Sequence, residues 1–188
     1  MARNESLAFI SGGGVDKPTG FLNGTPVATA DAGRAFGVLQ YVATGNASTL
    51  GADIIARLIA MGFATKAGYR QAPGCAWLMS TAVLAEIANL KDTTGRPLYS
   101  PSLWEAGPGF LLGYPVFEAE EMADVTANAF PIAFGNWQRG YIIGDRTPLG
   151  LLREPYSHRG FLTLYWRKRV HGAVLNSEAI KLLKIAAT

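Results

Sequence analysis

The chain has 188 residues, of which 49% are apolar and 16% charged, with one cysteine, two histidines and a formal net charge of +3. So much apolar content with so little charge excludes a disordered chain. The lone Cys75 excludes an intrachain disulfide, a cysteine-only zinc site and a CxxC redox pair.

A chain of this length buries about 70% of its unfolded surface, enough for a real core. The N-terminus lacks the apolar run and small-residue cleavage site of a secretory signal. No stretch of 18 apolar residues exists to span a membrane. The expectation is a soluble chain made in a reducing cytoplasm, with no membrane partner.

In chain order, Leu7 to Ile10 end an apolar segment that stops at Ser11-Gly12-Gly13-Gly14, as a helix tail breaks at glycine. Residues 11–26 carry five glycines and two prolines and read as a long structured loop. Residues 36–43 read as a strand. Ser48 or Thr49 is placed to cap a helix over Gly51 to Phe63, with Ile54, Leu58 and Met61 on one face and Asp53 four residues before Arg57. Residues 75–80, CAWLMS, read as a buried strand. Ser80 or Thr81 caps a second helix, Ala82 to Leu90, with Val83, Leu84, Ile87 and Leu90 inward. Trp77, Leu84, Ile87, Ile54 and Leu58 are therefore predicted to share one core. Residues 91–97 form a turn-rich stop.

Shorter strands follow at Tyr114 to Glu118, Phe130 to Phe134 and Gly140 to Gly144. The longest is Gly160 to Val170. Its alternation sets Leu162, Leu164, Trp166 and Val170 on one face, and Phe161, Thr163, Tyr165, Arg167 and Arg169 on the other. Ala179 to Ile185 is a last strand or short helix. Two helices among strands, with no βαβ rhythm, predict an α+β fold.

Charge is divided along the chain. Residues 1–138 hold 8 basic and 11 acidic residues, whereas residues 139–188 hold 9 basic and 3 acidic. A basic end faces a polyanion, pairs with an acidic body in another copy, or is simply a solvated strand face.

Candidate chemistry is thin. The loop SGGGVDKPTG is not a GxxxxGK[ST] phosphate loop, and Lys17 stands where GxGxxG needs glycine. Glu118, Glu120, Glu121 and Asp124 form an acidic cluster suited to acid–base work or a divalent cation, but equally to a solvated loop. Cys75 with His158 or His171 offers a nucleophile and base; an inert core thiol is the plainer reading of a cysteine in CAWLM. Arg167, Lys168 and Arg169 beside Tyr165 and Trp166 could clamp single-stranded nucleic acid. No catalytic, cofactor or metal residue is assigned, and the chain is expected not to be an enzyme.

Four stretches in order carry a likeness to a known family: AFISGGGVDKPTGFLNG (Ala8 to Gly24); ADIIARLI (Ala52 to Ile59) with CAWLMS and TAVLAEIANLKDTTGRPLY (Thr81 to Tyr99); LLGYPVFEAEEM (Leu111 to Met122); and FGNWQRGYIIGDR (Phe134 to Arg146). Together they resemble the C-terminal part of the major capsid protein of tailed bacteriophages, the Hong Kong 97-type shell protein.

The resemblance implies an axial domain over residues 38–138, with residues 1–37 and 139–188 in a peripheral domain. It implies a structural protein that self-associates as hexamers and pentamers of a virion shell, with other capsid and portal components as neighbours. Packaged double-stranded DNA would be enclosed without sequence-specific contact. An encapsulin compartment shell and a nucleic-acid-binding domain using Arg167–Arg169 are the alternatives. Family subunits begin with an arm, an extended loop and a spine helix, none of which matches here. Weak or no closed shells, with at most rings or small oligomers, are therefore expected, together with an exposed apolar patch at Leu162, Leu164 and Trp166. The stretch Thr94 to Gly113, with Trp104, is expected near the symmetry axis. No crosslinking chemistry carries over, because Gly160 stands where the family's crosslinking Asn is placed.

Overall fold

The computed structural model describes residues 2–51, 53–90, 99–100, 109–154, 156 and 160–187. It divides into two compact units. Unit 1 comprises residues 1–23 and 142–173, and unit 2 comprises residues 24–141 and 174–188.

Unit 2 is built on a mixed seven-stranded sheet. Its strands are β1 (Gln40–Ala43), β2 (Cys75–Met79), β3 (Tyr99–Ser100), β4 (Phe110–Leu111), β5 (Tyr114–Glu118), β6 (Ile132–Asn136) and β9 (Ile180–Lys184). They lie in the order β1-β9-β6-β2-β5-β4-β3. The two central strands are apolar except for the buried Asn136 that ends β6, as strands covered on both faces should be. Residues 75–77 of β2 and every residue of β6 are buried. They pair antiparallel with Trp77 opposite Phe134, and those rings stack at 4.2 Å. Gly135 is required where β6 meets β9, since a Cβ there would stand 2.2 Å from the Ala179 carbonyl.

Helix α2 (Ile54–Ala64) turns Ile54, Leu58 and Met61 inward at i, i+4 and i+7, against β1, β9 and β6. A single turn, α3 (Ala67–Arg70), follows it. Helix α4 (Thr81–Ala88) buries Val83, Leu84 and Ile87 and is capped by Ser80, whose hydroxyl accepts from the Val83 amide. All five predicted core residues join one cluster with Met79, Phe134 and Leu183.

Unit 1 holds α1 (Ala2–Ser11), the Gly-rich loop and a two-stranded ribbon of β7 (Tyr141–Glu154) and β8 (Thr163–Val174). Too few residues separate these strands for a parallel crossover, so the ribbon is an antiparallel hairpin. The glycines do specific work. The last carbonyls of a helix lack partners within it. Here the loop folds back, and the amides of Gly12, Phe21 and Leu22 donate to the carbonyls of Ala8, Phe9 and Ile10. A Cβ on Gly12 would lie 2.2 Å from the carbonyls of Ala8 and Pro18, and one on Gly20 would lie 2.5 Å from Ile10. Only glycine permits that approach.

Several expectations need correction. Helix α2 starts at Ile54 with Asp53 at its N-cap and no side-chain capping bond, so neither Ser48 nor Thr49 caps it. Asp53 and Arg57 form no ion pair; the Arg57 amide donates instead to the Asp53 carbonyl. The strand expected over 36–43 is confined to Gln40–Ala43, because residues 36–39 turn through Gly37 at φ +94°. The short strand placed at 140–144 is the start of the 14-residue β7. The strand placed at 160–170 runs over Thr163–Val174; its first half is open on both faces, with Leu164, Tyr165 and Trp166 all about half exposed, while Lys168 and Val170 are half-buried and Gly172 is buried. Residues 179–185 form strand, not helix, and β9 lies inside the large sheet. The borders between the two compact units fall at 23/24, 141/142 and 173/174. The predicted turn at 91–97 and Trp104 lie outside the described residues.

Candidate assembly surfaces

The sequence-flagged acidic cluster is structural. Ser80 donates to Asp124 at 3.0 Å. The Thr81 hydroxyl lies between the carboxylates of Glu118, at 2.8 Å, and Glu120. These acids gather at the N-terminus of α4, where exposed amides favour negative charge. Among the described residues no group of three His, Cys, Asp or Glu gathers to hold a metal.

Cys75 is buried in β2. Burial pushes its thiol up to about 11, the charge of Arg70 acting weakly the other way. A nucleophilic cysteine needs the opposite shift. His171 is exposed on β8 in the other unit, and His158 lies outside the described residues.

The basic run is partly neutralised. Lys168 Nζ lies 3.3 Å from the Glu5 carboxylate of α1 and 3.6 Å from Asp145 of β7. Its bond to Glu5 raises its pKa above the usual lysine value. A phosphate clamp wants free cations, and the middle one of this run is already paired. The same elements line a cavity of about 680 Å³, walled by Leu7 and Ala8 of α1, Lys17 and Pro18 of the loop, and Trp166 and Val170 of β8. Leu162, Leu164 and Trp166 are each about half exposed, as expected.

Two features of unit 2 escaped the sequence reading. The first is a buried charge cluster. Lys181 of β9 has no solvent exposure and pairs with Asp31, which also binds Arg34 at 2.6 Å. Arg34 donates further to the Ser177 carbonyl, and the Ser177 hydroxyl accepts from the Gly37 amide. Burial lowers the Lys181 pKa, with Asp31 opposing it. The cluster ties the loop 31–37 to the edge of β9. A lysine within the apolar run AIKLLKI was the available signal.

The second is an apolar groove of about 390 Å³ between α2 and the β4–β5 hairpin, lined by Ile59, Phe63, Arg70, Trp77, Leu112 and Tyr114. The Trp77 indole donates to the Leu111 carbonyl at 2.9 Å, anchoring the hairpin at the groove's base.

The family described as "Phage capsid family" matches residues 1–185. Among solved structures, the chain is 43% identical to the capsid of an empty GTA particle computed with C5 symmetry, covering 98% of this chain and 62% of that one, with a TM-score of 0.85. The native GTA particle gives 43% identity, the same 98% coverage, 61% of that chain and a TM-score of 0.84. This chain thus spans about three fifths of the length of those capsid chains. The holo-SrpI encapsulin complex of Synechococcus elongatus shares the fold at 18% identity and a TM-score of 0.62, over 100% of this chain and 62% of that one. No curated protein matches the chain.

Proposed function

Because this chain belongs to the phage capsid family, we propose that it is a structural subunit of a tailed-phage-type shell, associating with its own copies about local five- or six-fold axes. The observation that carries this is the 43% identity to a capsid chain over 98% of these residues. Unit 2, with its thick core, corresponds in this proposal to the axial domain. Unit 1, with α1 and the ribbon, corresponds to the peripheral domain.

The shell would place the protein in the virion after synthesis in a host cytoplasm, beside portal and other capsid components and around double-stranded DNA. No catalysis belongs to this proposal: the thiol of Cys75 is buried and held protonated. The encapsulin likeness, at 18% identity, supports the same fold and not the same cargo. The nucleic-acid alternative is disfavoured because Lys168 is committed to Glu5 and Asp145.

Native mass spectrometry and electron microscopy of the purified 188-residue chain test the proposal. Rings or larger assemblies built of five- or six-membered sets are expected. A chain that stays monomeric at every concentration overturns it.

A further inference from the structure

The hairpin between β4 and β5 turns through two residues, Leu112 and Gly113, with Leu111 paired to Tyr114. Both central residues have positive φ, +51° and +81°, the conformation of a type I′ turn. That turn prefers Asn-Gly or Asp-Gly, because a branched apolar side chain is strained in the left-handed region. Such strain persists where something else compensates it. Within the single chain the compensation is small, since Leu112 is 43% exposed.

Across the groove the situation repeats. Phe63 of α2 is 71% exposed, and Ile59 one turn earlier is 40% exposed. The Phe63 ring is held by the Arg70 guanidinium at 4.5 Å. Two large apolar side chains, one strained and one fixed by a cation, thus face water from opposite walls of the same groove.

We infer that this groove, with Phe63, Leu112 and Arg70 as its contacts, is a docking site for a second copy of this chain. The inference rests on the capsid-subunit reading above and names the surface that reading requires. A ring brings one surface of a subunit against a different surface of the next, and the GTA particle capsid to which this chain is 43% identical was computed with C5 symmetry. The incoming surface is apolar at its centre, to cover Phe63 and Leu112. It carries an acidic group at its rim, to meet Arg70, whose other contact is a long 3.4 Å bond to the Gly62 carbonyl. Burying the leucine in such a contact supplies the compensation that the lone chain lacks.

The test places the photo-crosslinker benzoylphenylalanine at position 63, in a mixture of isotopically light and heavy chains. Crosslinks joining light to heavy chains are expected, well above those from the same probe at Leu175, an exposed position elsewhere in unit 2. Crosslinks only within one chain, to residues 91–108 included, or no excess over Leu175, overturn the inference.

A second measurement uses Leu112→Asn, which suits the turn. Its melting temperature is expected to equal or exceed that of the unsubstituted chain, while the concentration for half-association rises roughly tenfold or more. A lower melting temperature, or unchanged association, overturns the inference. If the unsubstituted chain never associates, the capsid-subunit reading fails with it. If the unsubstituted chain and Leu112→Asn associate equally, the groove alone is refuted.

Discussion

Asp31 stands between two cations with almost no access to water: Lys181 is fully enclosed and the Arg34 side chain is 3% exposed. Removing one partner of a buried pair leaves an uncompensated charge, at a cost of about 3–5 kcal/mol, whereas replacing a buried ion by an apolar group of similar volume is often neutral. Asp31→Ala is therefore expected to lower unfolding free energy by about 3–5 kcal/mol, and Lys181→Met by much less, since Asp31 keeps Arg34. Denaturant titration of the two variants decides this, and equal losses would refute it. The same burial sets a pH dependence. The Lys181 pKa is lowered from the lysine value of 10.5 in the folded chain. Between that lowered value and 10.5 the unfolded chain binds a proton that the folded chain does not. Stability contributed by this group therefore rises with pH across that alkaline window. Melting temperatures followed through the window should climb more steeply, or fall less, in the unsubstituted chain than in Lys181→Met. Cys75 belongs to this scale too: with its thiol raised to about 11, a thiol reagent at neutral pH should label the native chain far more slowly than the unfolded one, and rapid native labelling would contradict the burial.

Elements whose residues carry their own periodicity were legible from the sequence. β5 was placed at Tyr114–Glu118 and found there, and the inward faces of α2 and α4 were read from Ile54, Leu58, Val83, Leu84 and Ile87. Leu84→Ala, at 8% exposure, is expected to cost about 2–5 kcal/mol; a loss below ~0.5 kcal/mol in chemical denaturation would mean that this face of α4 packs on nothing. What was not legible depends on partners far away in the chain. The alternation of β8 was correctly read as strand, yet alternation cannot say how far either face finds a cover, and here the cover is partial, from Lys168 onward on one face. The Asp31–Lys181 pair joins residues 150 apart, and the groove depends on a turn at Leu112 that local preference argues against. The glycine run reads as a long structured loop, but the sequence alone does not show which glycines are obligatory. The return of the loop onto α1 settles that. Gly12→Ala forces a Cβ to within 2.2 Å of two backbone carbonyls, neither of which can rotate away as a side chain would. It is expected to unseat the loop from α1, reported by loss of amide protection at Gly20, Phe21 and Leu22. Gly13→Ala, where a Cβ meets nothing within 4 Å, is the matched control and should leave that protection in place.

Over the whole molecule, burial is shared unequally between the two units. Among the described residues the buried apolar side chains lie almost entirely in unit 2; unit 1 contributes only Ile10 and Phe21. Its ribbon leaves Ile142, Ile143, Leu149, Leu151, Leu152, Leu164 and Trp166 about half exposed or more. Long paired strands with so little covered face are marginal in water, since the hydrogen bonds of a hairpin do not by themselves offset the ordering of its backbone. Local opening of unit 1 should therefore need much less free energy than opening of the sheet in unit 2. In the dissociated chain, amides of β8 are expected to exchange at least about a hundredfold faster than those of β6, a difference of about 2.7 kcal/mol in opening free energy. Uniform protection across the two strands would show that the ribbon is stable without a cover. Assembly supplies the second half of the test. If the exposed ribbon side chains are a contact surface rather than an idle one, β8 protection must rise when copies associate, while β6, already enclosed by β2 and β9, stays unchanged. A rise confined to residues around Phe63 and Leu112, with the ribbon still exchanging freely, would place association in unit 2 alone and leave the apolar side chains of β7 and β8 without a part in it.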